Sequence, residues 1–339
     1  MNIYDISREA GVSIATVSRV LNGSSRVSPA TRDKVLKVMA DCGYTPNAFA
    51  RGLGLNTMKT IGLLCADFAD AYLAKAISYL ERTLRQNGYD CLLVCPGYEH
   101  ETRVKMAEML LSKRVDGMIL VGSGFVSTSP DENAYILNVA GRVPVMILGA
   151  ALDGDNVYSV FCDDRTATLD ATAALIAEGR QRILYLYHAA TYSGLKKLEG
   201  YRDALGAAGR PVDEKLIRLA DEDANAALPD PRDFMEQLER EHLRYDAVMT
   251  SDDKLAVGAL KYAVKHHIRV PEELSIIGFN NSVLSRCSEP ELTSVDNKLK
   301  TLSVQCVSTL MGVLDGKDMP KRTVFSGDLV RRGTTLPKG

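Results

Sequence analysis

From residue 60 onward the chain alternates between two hydrophobic rhythms. Short apolar runs fall at 61–66, 91–95, 117–122, 145–148, 159–162, 183–187, 216–219, 247–250 and 275–279. Runs this brief and this continuously apolar predict strands buried on both faces. Between most of them lie longer stretches of helical period, at 73–87, 101–113, 166–178, 195–208 and 254–266, and Gly88 and Gly209 stop two of these. Strand–helix alternation predicts parallel, doubly wound sheets. Nine strands over roughly 270 residues fit two sheets better than one. Ligands on such sheets gather beyond the carboxyl ends of the strands, so two lobes with facing strand ends would enclose a cleft.

The first 58 residues follow a different pattern, three short helices legible from their punctuation. Asn2 caps the first, with Asp5 in a capping-box position, Ile3, Ile6 and Ala10 on its inner stripe, and Gly11 at its end. Ser13 caps a second helix over about 14–21, closed by Asn22-Gly23, and Ser28-Pro29 opens a third that runs to about Cys42. The third helix turns Val35, Val38 and Met39 inward, and Asp253 is the expected cap of the helix after the eighth strand. The tight turn Ala10-Gly11-Val12-Ser13 joins the first two helices into a helix-turn-helix, with Ile6, Ala10, Val12, Val17 and Leu21 filling its small core. Its second helix would enter a DNA major groove and present Ile14, Ala15, Ser18, Arg19 and Asn22. Residues 44–58 read as a linker, with Pro46, Gly52 and Gly54 in it. Asn47 can cap a helix of about six residues there, too short to be stable alone and expected to order only against a twin on DNA.

Charge sharpens this division. Residues 1–58 carry seven basic and four acidic side chains, net +3, which leaves −5 for the rest of a chain whose total is −2. A basic tip on an acidic body suits a polyanion at one end only. Hydrophobic residues make up 46% and charged residues 25%, enough to bury a large core. Eighteen consecutive uncharged apolar residues occur nowhere, and the start of the sequence has no secretory pattern, so no membrane partner and a cytoplasmic location are expected. The seven cysteines lack metal spacing; Cys91 and Cys95 form no Cys-x-x-Cys, and reduced, mostly buried thiols are expected. Enzyme signatures are missing: Gly122-Ser123-Gly124 falls short of a dinucleotide fingerprint, there is no nucleophile elbow or phosphate loop, and His266-His267 form no catalytic group. No cofactor or metal is expected.

The run AGVSIATVSRVLNG at 10–23, then VS at 27–28, TRDKV at 31–35 and GYTPNAFARGL at 43–53, resembles the headpiece of the lactose-repressor (LacI/GalR) family. The resemblance continues through TIGLL at 60–64, GYD at 88–90, VDGMI at 115–119, GYRDAL at 200–205, AVGAL at 256–260, VPEELSIIGF at 270–279 and PELTSV at 290–295, and so spans nearly the whole chain. It implies a helix-turn-helix headpiece (1–46), a hinge (47–58) and an α/β effector and dimerisation domain (59–335) built like periplasmic sugar-binding proteins. One lobe would hold about 59–161 and 291–322, the other about 162–290 and 323–335. Ile14, Ala15 and Arg19 would read base edges, Arg19 by pairing with guanine. Tyr4, Ser13, Thr16 and Ser18 would contact phosphate or bases, and Asn22 would support backbone contact. Leu53 would wedge into the minor groove, Ala50 would face the twin hinge helix and Arg51 would approach phosphates.

For the effector, the resemblance implies Asp67, Tyr72, Asp163, Lys197, Asp252 and Asn280. Tyr72 stands where Phe is common, Lys197 where most members carry Arg, Asp252 where Asn or Ser is frequent, and Asn280 where Asp is usual. Lys gives up the bidentate fork of Arg. An aromatic platform among polar groups suits a polyol, which favours a sugar or sugar derivative; a nucleobase or a phosphoprotein co-regulator is the alternative, ahead of a solute-binding protein or an enzyme. The expected partners are operator DNA, the small molecule and a second copy of the chain, since no leucine heptad for a tetramer follows Arg331-Arg332-Gly333.

Overall fold

The computed structural model describes residues 2–21, 24–44, 57–220 and 231–337. The headpiece has three helices, α1 (Ile3–Ala10), α2 (Ile14–Leu21) and α3 (Pro29–Asp41). Each start is set by a side chain that satisfies helix N–H groups otherwise left unpaired. Asn2 Oδ1 accepts from the backbone of Tyr4 and Asp5, while the Asp5 carboxylate accepts from Asn2 N at 3.0 Å. Ser13 Oγ accepts from Thr16 N, and Ser28 Oγ from Thr31 N. Gly11, at φ 59°, takes the left-handed conformation that closes α1 at little steric cost. Ile6, Ala10, Val17, Val20, Val35 and Met39 form the buried centre. Val12, Leu21 and Val38 are partly buried and pack against it.

The body is two six-stranded sheets, each covered by helices. In chain order the first lobe contains β1 (Thr60–Cys65), α4 (Ala71–Gln86), β2 (Asp90–Val94), α5 (His100–Ser112), β3 (Gly117–Val121), α6 (Ala134–Ala140), β4 (Val145–Leu148) and β5 (Val157–Cys162). The second continues with α7 (Asp164–Ala177), β6 (Ile183–Tyr187), α8 (Tyr192–Ala207), β7 (Ile217–Leu219), α9 (Pro231–Arg240), β8 (Ala247–Thr250), α10 (Asp253–Lys265), β9 (Ser275–Phe279), α11 (Val283–Cys287) and β10 (Thr293–Asp296). The chain then returns to the first lobe for α12 (Leu299–Leu314) and β11 (Arg322–Phe325), and crosses once more for β12 (Asp328–Val330). The sheet orders are β11-β5-β4-β3-β1-β2 and β12-β10-β9-β8-β6-β7. All pairings are parallel except β10 with β12.

Three crossings therefore join the lobes, but the last two lie a few residues beyond the expected 291 and 323. Thr293–Asp296 belongs to the second sheet, and Arg322–Phe325 extends the first. The return path carries α12, whose Leu302, Cys306, Val307 and Leu310 pack with Ile61, Leu63 and Leu80 in the first lobe's core. Two glycines mark where elements approach closely. A Cβ at Gly200 on α8 would lie 2.1 Å from the Arg165 carbonyl of α7, and one at Gly278 on β9 would lie 2.3 Å from Asp253 Oδ1.

Candidate DNA interface and interlobe site

The exposed face of the headpiece carries most of the expected contacts. Tyr4 and Ile14 are exposed despite their apolar bulk, and Ser13, Ala15 and Arg19 are exposed beside them. Thr16 and Ser18 are half-buried. Ser13 and Thr16 share a hydroxyl–hydroxyl hydrogen bond of 2.9 Å at the start of α2, so both hydroxyls already serve the cap. Val17 and Val20 turn inward. Asn22 and the hinge residues Asn47, Ala50, Arg51 and Leu53 lie outside the described residues.

In the body, polar side chains collect just past the strand ends of both lobes. Asn297, one residue beyond β10, links them: its Nδ2 donates to Tyr72 Oη in the first lobe at 2.8 Å and to Asn280 Oδ1 in the second at 3.0 Å. Its Oδ1 is buried and has no hydrogen-bond partner among the described residues. Burial drives the Tyr72 hydroxyl far above its usual range, so it stays protonated. A second bridge joins Ser123 Oγ, past β3, to Thr191 Oγ1, ahead of α8, at 3.1 Å.

Lys197 is buried on α8; its ammonium donates to the Ser251 carbonyl at 2.9 Å and lies 3.8 Å from the centre of the Phe279 ring. Asp252 does two jobs. One oxygen accepts from Leu255 N and so caps α10; the other lies 2.6 Å from His188 Nδ1. Burial opposes the Asp252 charge, but the His188 hydrogen bond and charge outweigh it and hold the carboxyl well below the usual carboxylate range. The cap expected of Asp253 thus belongs to Asp252. Asp253 is buried and accepts from Ser282 N at 2.6 Å and Ser294 Oγ at 2.5 Å.

The remaining two expected residues serve local backbone. Asp67 Oδ1 accepts from Ala69 N in the turn after β1, and Asp163 caps α7 by accepting from Thr166 N and Oγ1. The interior position falls to its neighbour Asp164, which is buried, accepts from Ser193 Oγ, and has its carboxyl pushed upward by burial against the opposing charge of Lys197. His188, Asp164, Ser193 and Asn297 were not singled out from the sequence. The strand-end rule could have found two of them, since His188 follows β6 and Asn297 follows β10 by one residue. A cavity of about 410 Å³ opens separately along the lobe seam near Leu152, Tyr192, Leu195 and Arg322, and contains none of the six expected effector residues.

A trihelical tip with an exposed second helix on a two-lobed body, with polar groups bridging the lobes at their strand ends, fits a regulator of the helix-turn-helix class. Residues 2–47 match the bacterial regulatory proteins of the lacI family, and residues 172–335 match a periplasmic binding protein-like domain. An HTH-type transcriptional regulator of Lachnoclostridium phytofermentans is 50% identical over 335 residues, 99% of each chain. A solved complex of the transcriptional regulator CelR with cellobiose is 28% identical, has a TM-score of 0.71, and covers 98% of this chain and 99% of its own. A lac repressor dimer bound to operator and the anti-inducer ONPF shares the fold at a TM-score of 0.85 and 24% identity, over 99% of both chains. The chain belongs to the lacI family and is a DNA-binding transcriptional regulator. Among the described residues no helix is long and apolar enough to cross a membrane.

Proposed function

We propose that this regulator represses by binding a pseudo-palindromic operator as a homodimer, and that a sugar or sugar derivative in the interlobe cleft controls its grip. The observation that carries this reading is the Asn297 amide, which touches both lobes at once. A hydroxylated ligand that takes over one of these hydrogen bonds, or donates to the unpaired Asn297 Oδ1, changes how the lobes are tied. Tyr72, Lys197, the His188–Asp252 pair and Asn280 supply further donors, acceptors and a ring face, a mixture matched to a polyol. The relative solved with cellobiose supports a carbohydrate.

Lobe movement reaches DNA through the linker. The segment at 47–58 is too short to form a stable helix alone, so its pairing with a twin, with Leu53 wedged into the minor groove, responds to the spacing of the two bodies. The linkage is reciprocal and is expected to be about 1–3 kcal/mol. For the second copy, α11 offers neighbouring exposed apolar side chains, Val283 and Leu284. The test is a thermal-shift screen of sugars and nucleobases on the full chain, with hits repeated in an operator gel shift. A sugar that both stabilises the protein and alters the shift supports the proposal; a nucleobase doing so in its place overturns the effector class. Removing residues 1–58 should abolish DNA binding and keep ligand binding, and loss of both would contradict separate tip and receptor roles.

A further inference from the structure

Strands β1 and β2 each lead into a cysteine. Their parallel register runs from Thr60↔Asp90 to Leu64↔Val94, which makes Cys65 and Cys95 the next pair. The faces agree: Ile61, Leu63, Cys65 and Cys91 pack on one side of the sheet, Leu64 and Val94 on the other, so alternation sends Cys95 to the side of Cys65. Both thiols turn onto the same bend. Cys65 Sγ donates to the Asp67 carbonyl at 3.4 Å, and Cys95 Sγ to the adjacent Ala66 carbonyl at 3.1 Å. Neighbouring strands lie about 4.8 Å apart, inside the roughly 4.4–6.8 Å over which Cα atoms can be bridged by a disulfide. The two thiols differ in access, since Cys65 is buried and Cys95 exposed.

We propose that Cys95 and Cys65 are a peroxide-responsive pair, Cys95 taking the oxidant and Cys65 resolving it into a cross-strand disulfide. The Cys95 thiolate attacks one oxygen of hydrogen peroxide; the O–O bond breaks, a sulfenic acid forms, and the departing hydroxide takes a proton to leave as water. Cys65 then gives up its proton and attacks the Cys95 sulfur; the S–O bond breaks, the S–S bond forms, and a second water leaves. Two thiols are oxidised and one peroxide is reduced to two waters. Burial pushes the Cys65 thiol up to about 11, so little of it is thiolate at neutral pH and its attack on the sulfenic acid is slowed. Closing the bridge removes both S–H donors from the Ala66–Asp67 bend, the segment that leads to the Asp70 cap of α4 and to Tyr72. Oxidation would thereby reach the first lobe's share of the interlobe site.

The full-length reduced protein is treated with a small excess of hydrogen peroxide, alkylated, and mapped by peptide mass. A linked pair of peptides carrying Cys65 and Cys95, two hydrogens lighter than the free thiols, is expected; dithiothreitol should reverse it, and Cys95→Ser, an exposed substitution, should abolish it. In Cys65→Ser a dimedone adduct should build up on Cys95; should that buried substitution unfold the chain, the comparison of wild type with Cys95→Ser decides the matter. Cys95 advancing to sulfinic acid while Cys65 remains alkylatable would overturn the proposal, as would a bridge from Cys95 to any other cysteine.

Discussion

Asp252 and Asp253 are neighbours in sequence with opposite surroundings, and their difference comes from what faces them. Asp253 fits only because residue 278 has no side chain to occupy the same space, and burial pushes its carboxyl upward against hydrogen bonds from Ser294 and Ser282. Asp252 meets an imidazole. Burial draws His188 down, but the Asp252 hydrogen bond and charge overcome it and leave the imidazole above its usual value. A raised histidine stabilises the fold below its unfolded pKa of about 6.5 and loses that contribution as pH climbs through the folded value; a depressed aspartate contributes above about pH 3.9 and loses it on acidification. The pair is thus strongest between about pH 4 and 6.5. The melting temperature of the full chain should decline on the alkaline side, and His188→Gln should flatten that decline; an unchanged alkaline limb would assign it to another group. At the tip, Arg19→Ala should weaken specific operator binding by about 1–3 kcal/mol with a much smaller effect on random duplex, measured by gel shift at fixed salt. The sequence placed the helix cap one residue late because two adjacent aspartates satisfy the same capping pattern. It passed over His188 because a single histidine after a strand has no periodicity to betray it.

At the level of elements, what was legible depended on how one-sided the burial is. The nine apolar runs became strands, and the five helical segments became helices within a few residues, since caps and stop glycines punctuate them. The last three strands read Thr-Ser-Val-Asp, Arg-Thr-Val-Phe and Asp-Leu-Val, too mixed with polar residues for an apolar run to stand out. Helix α12 hid for the opposite reason. It buries small polar residues such as Ser303 and Thr309 together with Leu302 and Leu310, which blurs the apolar stripe that a half-exposed helix displays. The α7–α8 contact offers a direct test of close packing. Gly200→Ala should destabilise the body by roughly 1–3 kcal/mol, because its methyl meets backbone rather than a movable side chain. Gly206→Ala, on the same helix with open space around it, should be neutral or stabilising by up to about 1 kcal/mol. Urea unfolding of both variants distinguishes a packing effect from a helix-propensity effect, and equal losses would refute the packing account.

For the molecule as a whole, the helical tip and the two-lobed body were readable because each has its own pattern: capped helices with a net positive charge, then strand–helix alternation. A second copy was expected too, but not its contact face: that Val283 and Leu284, proposed above for it, are exposed rather than buried is visible only in the folded chain. Replacing Val283 and Leu284 with aspartate should convert the protein to a monomer in analytical ultracentrifugation and lower operator affinity, with effector binding retained. A dimer that survives both charges would move the contact elsewhere. The order of strands has a consequence for how such a chain is made. Strand β5 gains its outer neighbour only when β11 arrives about 160 residues later, so the nascent first lobe leaves the ribosome with a raw edge and without the helix that covers its core. Pairings over such spans form slowly, and an unprotected edge invites foreign strands. Premature termination anywhere before Phe325 would therefore yield a sticky fragment rather than a smaller working receptor.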